Sequence, residues 1–176
     1  GRVILLTGAT SGLGLATARQ LARCGATLVL TGRNAERNER ATADVIASSG
    51  NHSITHVPAD MGELQDVRQL ADQVLATHSR LDVLIHNAGA LSAQRHVSSE
   101  GIESTVASQV VGPFLLTSLL LDRLAASAPS RVVTMSSGGM YATGLTVSGL
   151  EMPAERYRGV EQYARAKRAQ VTLNEM

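Results

Sequence analysis

The sequence has few cysteines and almost no net charge, and both shortages exclude classes of protein. Cys24 is the only cysteine, so no disulfide can form within the chain. Its place in an Ala/Leu/Arg helical run predicts a small packed side chain, with a reactive thiol as the alternative. Sixteen Lys and Arg residues against fifteen Asp and Glu residues give a formal charge of +1. That balance favours neither nucleic acid nor an anionic membrane as a partner.

Long hydrophobic runs are also scarce. The apolar stretch 110–121 is shorter than the roughly 20 residues that span a bilayer, and it is interrupted by Gly112, Pro113, Thr117 and Ser118. We therefore expect no membrane segment and a cytoplasmic location. The sequence begins without Met and ends at Met176 inside a helical pattern with no terminating Gly or Pro. We expect segments to be missing, including C-terminal strands.

Short apolar runs alternate with segments of helical periodicity along the whole chain. Because parallel strands need crossover helices, this alternation predicts a single α/β domain over 1–176, with a Rossmann-type doubly wound parallel sheet and helices on both faces. Only 137–162 lacks clear periodicity, and so long a connection suggests a function. The predicted strands are 2–7, 27–31, 53–57, 81–86 and 131–135, and the predicted helices are 13–24, 34–49, 63–78 and 99–126, the last kinked at Pro113.

The first strand runs into a glycine-rich turn with the sequence Thr7-Gly8-Ala9-Thr10-Ser11-Gly12-Leu13-Gly14. Its glycines permit a tight turn and let backbone N–H groups approach a diphosphate, which the N-terminus of the following helix also favours. A plain tight connection between strand and helix is the alternative. The correct strand before the turn and helix after it favour a nucleotide site.

Tyr163 and Lys167 form a Tyr-x-x-x-Lys pair in a helical segment. Positions i and i+4 share a helix face, so the Lys167 ammonium would favour the Tyr163 phenolate and lower its pKa toward neutrality. A proton donor or acceptor for a carbonyl needs such a pKa. A pair on a solvated helix face is the alternative. The preceding strand ends in Ser136 and Ser137, where a hydroxyl can hydrogen-bond a developing alkoxide.

Together these motifs resemble the short-chain dehydrogenase/reductase family, over essentially the whole chain. The resemblance implies that Tyr163 is the general acid/base and that Lys167 also binds the nicotinamide ribose. It places the catalytic serine at Ser137, the second of the pair. For Ser136 we expect a turn-forming or helix-side hydroxyl. Family members often carry Asn where this chain has Gln109, which keeps the amide but adds a methylene. Whether Gln109 belongs to the site stays open.

The resemblance also implies cofactor contacts at the other strand ends. Asp60 resembles the family's acid that binds the adenine amino group, with capping of the helix near Glu63 as the alternative. The Asn87-Ala88-Gly89 segment resembles the turn that lies beside the cofactor and is expected to be structural as well. The predicted cofactor-binding residues are Gly8, Thr10, Ser11, Gly12, Leu13, Gly14, Arg33, Asp60, Met61, Asn87, Ala88, Gly89, Tyr163 and Lys167.

The end of the second strand bears on the choice of cofactor. An NAD-selective site would place an acid there, whereas this chain has Gly32 followed by Arg33. A guanidinium suits a 2′-phosphate, although a solvated surface arginine is the alternative. We therefore predict a preference for NADP(H), with NAD(H) also usable.

The predicted function is an oxidoreductase that moves hydride between nicotinamide and a carbonyl or alcohol. The long segment between Ser137 and Tyr163 resembles retinol-dehydrogenase-like, DHRS-type members, which implies a bulky apolar small-molecule substrate. The family also implies a homodimer or homotetramer that packs through its long helices. The alternative from another class is a catalytically silent NADP(H)-binding protein that senses redox state or binds a partner.

The histidines predict no metal site. His52 and His56 lie four residues apart on a predicted strand, which separates them by roughly 13 Å, too far to share one ion. His78, His86 and His96 have no partners at ligand spacing. Each is predicted to be a surface or satisfied polar residue.

Overall fold

The computed structural model describes residues 1–175, in which strands and helices alternate. The predicted elements form within a few residues of their expected bounds, except that the long helix begins at Ser104 instead of 99. The strands are β1 (Val3–Thr7), β2 (Thr27–Thr31), β3 (Ile54–His56), β4 (Val83–His86) and β5 (Arg131–Thr134). The helices are α1 (Gly12–Arg23), α2 (Ala35–Ser49), α3 (Leu64–Thr77), α4 (Ser104–Val106), α5 (Gly112–Ala126) and α6 (Gly159–Asn174).

The five strands form one parallel sheet in the order β3-β2-β1-β4-β5. This topology confirms the predicted Rossmann-type α/β fold. The chain moves outward from β1 to β3 and then crosses back to β4 on the other side of β1. In open α/β sheets, ligands bind beyond the carboxyl ends of the strands at such a reversal, here between β1 and β4.

Side chains of β1 alternate between the two faces of the sheet and are buried on both. Ile4 and Leu6 pack in one cluster with residues of α1 and α2. Leu5 packs in a second cluster with residues of α3 and α5, among them Leu70 and Leu116. Each fully buried leucine contributes about 1.5–3 kcal/mol relative to an exposed one. The two clusters therefore hold the carboxyl end of β1 firmly in place.

The long helix Ser104–Ala126 consists of α4, a π-helical segment and α5. By length and composition alone it could cross a membrane, since an 18-residue window within it has a mean hydropathy of 1.5. The expectation that no apolar stretch approaches the length of a bilayer span was therefore wrong. Pro113 lies at the start of α5, and the Thr117 and Ser118 hydroxyls donate to the carbonyls one turn earlier, at 2.8 and 2.9 Å. Half of the 18-residue apolar window is buried within the fold.

Cys24 is exposed, so the prediction of a packed side chain was wrong. It is the C-cap residue of α1, beyond the last core position of that helix at Ala22. The next residue, Gly25, adopts a left-handed φ of 75° and turns the chain toward β2. The helix ends one residue before the periodicity suggested, which moves the thiol to the surface.

The first half of the segment between β5 and α6, residues 138–148, is called the lip. It contains a short 3₁₀ turn, Gly138–Ala142, and its apolar side chains are open to solvent. Tyr141 is 79% exposed, Leu145 37% and Val147 91%. Three of its apolar side chains are therefore exposed, while its 3₁₀ turn packs against α6.

The second half, residues 149–157, is called the strap and is fastened by side chains. Gln162 of α6 accepts from the Met152 N–H at 2.7 Å and donates to the Leu150 carbonyl at 2.8 Å. The Tyr157 hydroxyl donates to the fully buried carboxylate of Glu103 at 3.1 Å. A groove of about 660 Å³ borders the strap and contains none of the predicted site residues.

Candidate active site

The turn between β1 and α1 depends on glycine at two positions. Gly8 has a φ of 67°, and a Cβ there would lie 2.7 Å from the Ala88 Cα. A Cβ on Gly14 would collide with the Gly8 carbonyl oxygen and lie 2.5 Å from the Asn87 Nδ2. The turn is thus pressed against the residues that follow β4, and any side chain would force it open.

On its other side the same turn faces open space. Gly12 has a φ of 53°, and nothing lies within 4 Å of where its Cβ would be. The N-cap residue Ser11 makes no side-chain cap, and α1 has no acidic residue in its first turn. The first N–H groups and the positive end of the helix are therefore available to an anion. These residues fit the diphosphate of a dinucleotide.

Hydrogen bonds tie the Asn-Ala-Gly turn to the end of β1. The Asn87 amide donates to the carbonyls of Thr7 at 3.0 Å and Gly8 at 3.1 Å. The Thr7 hydroxyl accepts the backbone N–H groups of Asn87 at 3.1 Å and Ala88 at 3.0 Å. The Asn87 side chain therefore has a structural role, as expected, and holds the glycine turn in shape.

Beyond the end of β2, the backbone comes close to the glycine turn. A Cβ on Gly32 would lie 2.8 Å from the Thr10 Cγ2, so a larger residue would crowd this corner. Arg33 follows with its side chain exposed. Asp60 accepts from the Gly62 N–H at 2.9 Å through Oδ1, whereas the N-cap of α3 is Glu63. Asp60 therefore shapes the turn into α3 and does not cap that helix.

Every residue predicted to bind the cofactor lines one cleft of about 510 Å³. The cleft runs from the glycine turn past Arg33 and Asp60 to Tyr163 and Lys167. It lies at the carboxyl ends of the strands, where the sheet topology places a ligand site. The structure thus brings together residues separated by up to 159 positions in the sequence, from Gly8 to Lys167.

Lys167 lies at the inner end of the cleft, on the same face of α6 as Tyr163. It is only 3% exposed, so the pair does not sit on a solvated helix face. Its Nζ donates to the Met135 carbonyl at 2.7 Å and lies 5.6 Å from the centre of the Tyr163 ring. Burial lowers the pKa of Lys167 to about 8. The ammonium form still predominates at neutral pH.

The two serines after β5 make different contacts. Ser136 lines the cleft, and its hydroxyl donates to the Met140 sulfur at 3.2 Å. Ser137 lies outside the cleft lining, and its Oγ accepts from the Gly139 N–H at 3.3 Å. A Cβ on Gly139 would lie 3.6 Å from that Oγ and 4.0 Å from the Ala164 Cβ. Ser137 is therefore close to α6, and its catalytic role stays a prediction.

Gln109 lies in the π-helical segment Ala107–Val111 and is fully buried. Its Nε2 donates to the Ala90 carbonyl at 2.8 Å, while its Oε1 has no partner among residues 1–175. A Cβ on Gly89 would lie 3.0 Å from that oxygen and 3.6 Å from the Lys167 Nζ. The amide is thus close to the lysine, although it does not line the cleft.

Sequence reasoning missed several groups that line the cleft, among them Arg37 and Met135. Arg37 lines the cleft beside Arg33, and its position four residues later, at the start of a helix, could have revealed it. The Met135 carbonyl, which holds Lys167, could not have been found, since a backbone acceptor has no residue-type signature.

His86, predicted to be a surface or satisfied polar residue, is buried at the end of β4. The Thr117 hydroxyl donates to the Pro113 carbonyl, so at 2.8 Å it must accept from the His86 Nε2. The neutral ring therefore carries its proton on Nε2 and leaves a buried Nδ1 without a partner in the described chain. Burial lowers the pKa of His86 to about 4.

Comparisons with known proteins point to one family. The sequence model for the short chain dehydrogenases matches residues 2–147. The chain is 42% identical over 172 residues to dehydrogenase/reductase SDR family member 13 of Bos taurus, covering 97% of this chain and 45% of the relative. It is 34% identical over 169 residues to human retinol dehydrogenase 13, covering 96% and 51%. The chain therefore spans about half the length of these relatives.

Solved structures show the same fold. A Mycobacterium paratuberculosis protein of uncharacterized function superposes with a TM-score of 0.82 at 33% identity, covering 97% of this chain and 59% of that one. A metagenomic short-chain oxidoreductase in complex with NADP gives a TM-score of 0.76 at 25% identity, covering 98% and 72%. The similarity extends over both the glycine turn and α6.

Proposed function

The chain belongs to the short-chain dehydrogenase family, and from this premise we propose that it carries the cofactor-binding and catalytic part of an oxidoreductase acting on a carbonyl or alcohol. One observation supports the proposal above all. The buried Lys167 Nζ and the Tyr163 ring, 5.6 Å apart, share a cleft with a glycine turn that fits a diphosphate. The protein would use this cleft for hydride transfer.

Each residue has a defined task in this proposal. NADP(H), when bound, supplies or accepts the hydride. Tyr163 gives its hydroxyl proton to the carbonyl oxygen, or takes it back in the reverse direction. Lys167, held by the Met135 carbonyl, keeps a positive charge beside the phenol. Ser137 donates a hydrogen bond to the substrate oxygen as charge develops on it.

We further propose a preference for NADP(H). Gly32 stands where an NAD-selective site carries an acid, and Arg33 offers a guanidinium on the cleft wall. The NADP complex of the metagenomic relative is consistent with this choice. A clear preference for NADH in direct binding measurements would contradict it.

The substrate is proposed to be bulky and apolar. The lip begins directly after Ser137 and presents the exposed side chains of Leu145 and Val147. Leu91, two residues after the Asn-Ala-Gly turn, is 53% exposed. The name of the human relative, a retinol dehydrogenase, agrees with an apolar alcohol. A cytoplasmic location and a homodimeric or homotetrameric state stay predictions.

The proposed activity is tested with purified protein, NADPH and a panel of aldehydes, ketones, sterols and retinoids, followed by nicotinamide absorbance. Tyr163→Phe should lower turnover by at least about 10²-fold, because it removes the proton donor, and should keep the affinity for NADPH within about twofold. Tyr141→Phe on the exposed lip is the matched control and should leave both unchanged. Equal turnover by wild type and Tyr163→Phe would refute the assignment.

A silent NADP(H)-binding protein is the second candidate, and Gln109 favours it. The Gln109 Nε2 is held by the Ala90 carbonyl, an arrangement that uses the amide within the protein. Tight NADPH binding without turnover of any compound in the panel would favour this second function.

A further inference from the structure

Loop 90–97 follows the Asn-Ala-Gly turn and borders the cleft at its first residue, Ala90. It is held at both ends. The Ala90 carbonyl accepts from the Gln109 Nε2 at 2.8 Å, and the His96 carbonyl accepts from the Ser104 N–H at 2.9 Å. The position of the middle of the loop depends on other contacts.

Arg95 ties the middle of this loop to the strap. Its Nε donates to the Met152 carbonyl at 3.0 Å, and its Nη2 lies 3.6 Å from the Glu151 Oε2. Among residues 1–175, the bond to Met152 is the only side-chain hydrogen bond from 91–95 to another segment. The same Glu151 oxygen accepts from the Glu103 N–H at 3.0 Å. Arg95 thus joins the loop, the strap and the residue that precedes α4.

The loop also lies directly against the first turn of α6. Gly159 is the first residue of α6, and a Cβ on it would collide with the Ser92 carbonyl oxygen. Tyr163, one turn further along the helix, lines the cleft together with Ala90. The loop and α6 are therefore two walls of the cleft that meet at Ser92 and Gly159.

The ion pair of Arg95 adds more to geometry than to stability. The Arg95 and Glu151 side chains are 26% and 41% exposed, and a pair so open to solvent stabilises a fold little. Apolar residues can often replace such a pair without loss of stability. A guanidinium, however, presents donors in a rigid planar fork. Arg95 can therefore fix the loop relative to a carbonyl and a carboxylate at the same time.

We propose that Arg95 is a positioning residue for the substrate, which acts through loop 90–97. The inference rests on the proposed function. Leu91 lies on this loop, next to Ala90 on the cleft wall, and is 53% exposed. With Arg95 bound to the strap, the loop stays against α6, and the apolar surface of Leu91 is kept at one distance from Tyr163. A bulky apolar substrate then binds with its carbonyl beside the Tyr163 hydroxyl.

The groups that serve the cofactor and the proton transfer are held by other contacts. The Lys167 Nζ donates to the Met135 carbonyl at 2.7 Å, and the Asn87 amide holds the glycine turn. Neither contact involves the loop or the strap. Loss of Arg95 should therefore weaken substrate binding and leave NADPH binding and the chemical step largely intact.

Steady-state kinetics at saturating NADPH test this proposal, with the panel compound that wild type reduces most efficiently. Arg95→Met keeps most of the side-chain length and removes the donors, so it should raise KM about tenfold and change kcat by less than about threefold. The affinity for NADPH should stay within about twofold. Arg95→Lys keeps the charge but loses the fork, and its KM should fall between the two. Arg156→Met, exposed on the same strap, is the matched control and should leave KM and kcat unchanged.

Unfolding and a double variant separate positioning from stability. The midpoint of Arg95→Met should fall by no more than about 4 °C, the shift expected when one hydrogen bond is lost from a chain of this size. Adding Glu151→Gln, which keeps an acceptor for the Glu103 N–H, should not raise KM further, because the carboxylate acts on the loop through Arg95. An unchanged KM in Arg95→Met, or a parallel loss of kcat and NADPH affinity, overturns the role of Arg95 and leaves the proposed function intact. A wild-type protein that reduces no compound of the panel overturns both.

Discussion

The glycine-turn side and the α6 side of the cleft are built in different ways. All five residues of β1 are buried, and the turn after it is shaped by contacts with the Ala88 backbone and the Asn87 side chain. In the described chain β5 pairs with β4 alone, and its residues alternate between exposed and half-buried. There the geometry depends on a few long side chains, above all Lys167 on the Met135 carbonyl.

This difference predicts that mutations on the two sides have different effects. The glycine turn is anchored to the buried strand β1 and to the residues after β4, so its shape is formed before any ligand arrives. The α6 side leaves Val133 42% and Met135 37% exposed, and the chain covers only 45–51% of the relatives' length. We expect mutations on the first side to affect folding, and mutations on the second side to affect turnover or local order.

Replacing each of the two serines with alanine tests most directly whether residues on the α6 side govern turnover. Ser137→Ala should lower kcat about 10²–10³-fold, equivalent to about 2.7–4 kcal/mol, because a donor to the developing oxyanion is lost. Ser136→Ala should change kcat by less than about threefold, and neither variant should alter the unfolding midpoint. Turnover with a carbonyl substrate at saturating NADPH is the measurement. Because Ser136 lines the cleft, the reverse result would move the catalytic role to Ser136.

Replacing one glycine on each side of the cleft with alanine compares how well the two sides tolerate a new side chain. Gly14→Ala should lower the free energy of unfolding by about 3 kcal/mol, since the new Cβ meets rigid backbone and the site cannot relax. Gly138→Ala, where nothing lies within 4 Å of the Cβ, should change it by less than about 0.5 kcal/mol. Denaturant unfolding of both variants measures the difference. Equal losses would mean that the glycine turn is no more rigid than the lip.

The sequence was informative where function depends on local pattern. The alternation of strands and helices, the glycine turn and the Tyr163–Lys167 spacing can each be recognised along the sequence, so the parallel sheet and the residues around the cleft could be predicted, whereas the strand order was not predicted. The partner of Lys167 could not, because the Met135 carbonyl has no signature. The burial of His86 and exposure of Cys24 were also missed, since each depends on where an element ends to within one residue.

His86 makes the stability of the β4 end depend on pH. Its folded pKa of about 4 lies below its ordinary value of 6.5, so the unfolded chain binds a proton that the folded chain does not. The stabilisation is fully present above pH 6.5 and is lost as pH falls toward 4. Between pH 7.5 and 4.5 this group should remove about 2.5 kcal/mol.

Denaturant unfolding of wild type and His86→Gln at pH 7.5 and 4.5 measures that contribution. Wild type should lose about 2.5 kcal/mol more than the variant over this range. His96→Gln, on an exposed histidine, is the control and should follow wild type. Parallel losses in wild type and His86→Gln would show that the buried imidazole does not titrate in this window.

The smallest predicted loss of stability concerns the strap, where we expect the loss to be local. Burial, followed by the Glu103 carboxylate, raises the pKa of Tyr157, so its hydroxyl remains a donor at neutral pH. Tyr157→Phe removes the bond to the Glu103 Oε1, which keeps only the Ser104 hydroxyl at 3.5 Å, while the carboxylate stays held through Oε2 by the N–H groups of Thr105 and Val106 at 3.0 Å. The loss should be about 1.5 kcal/mol, the lower end for a hydrogen bond to a charged group.

Amide hydrogen exchange then shows where that loss is felt. Exchange in the strap and the first turn of α6 should accelerate in Tyr157→Phe, while β1 amides that open only on global unfolding should change no more than the global loss requires. Tyr141→Phe, 79% exposed on the lip, should match wild type throughout. If exchange instead rises equally over β1 and α6, the two sides of the cleft unfold as one unit, and the strap is not an independent support of the α6 side.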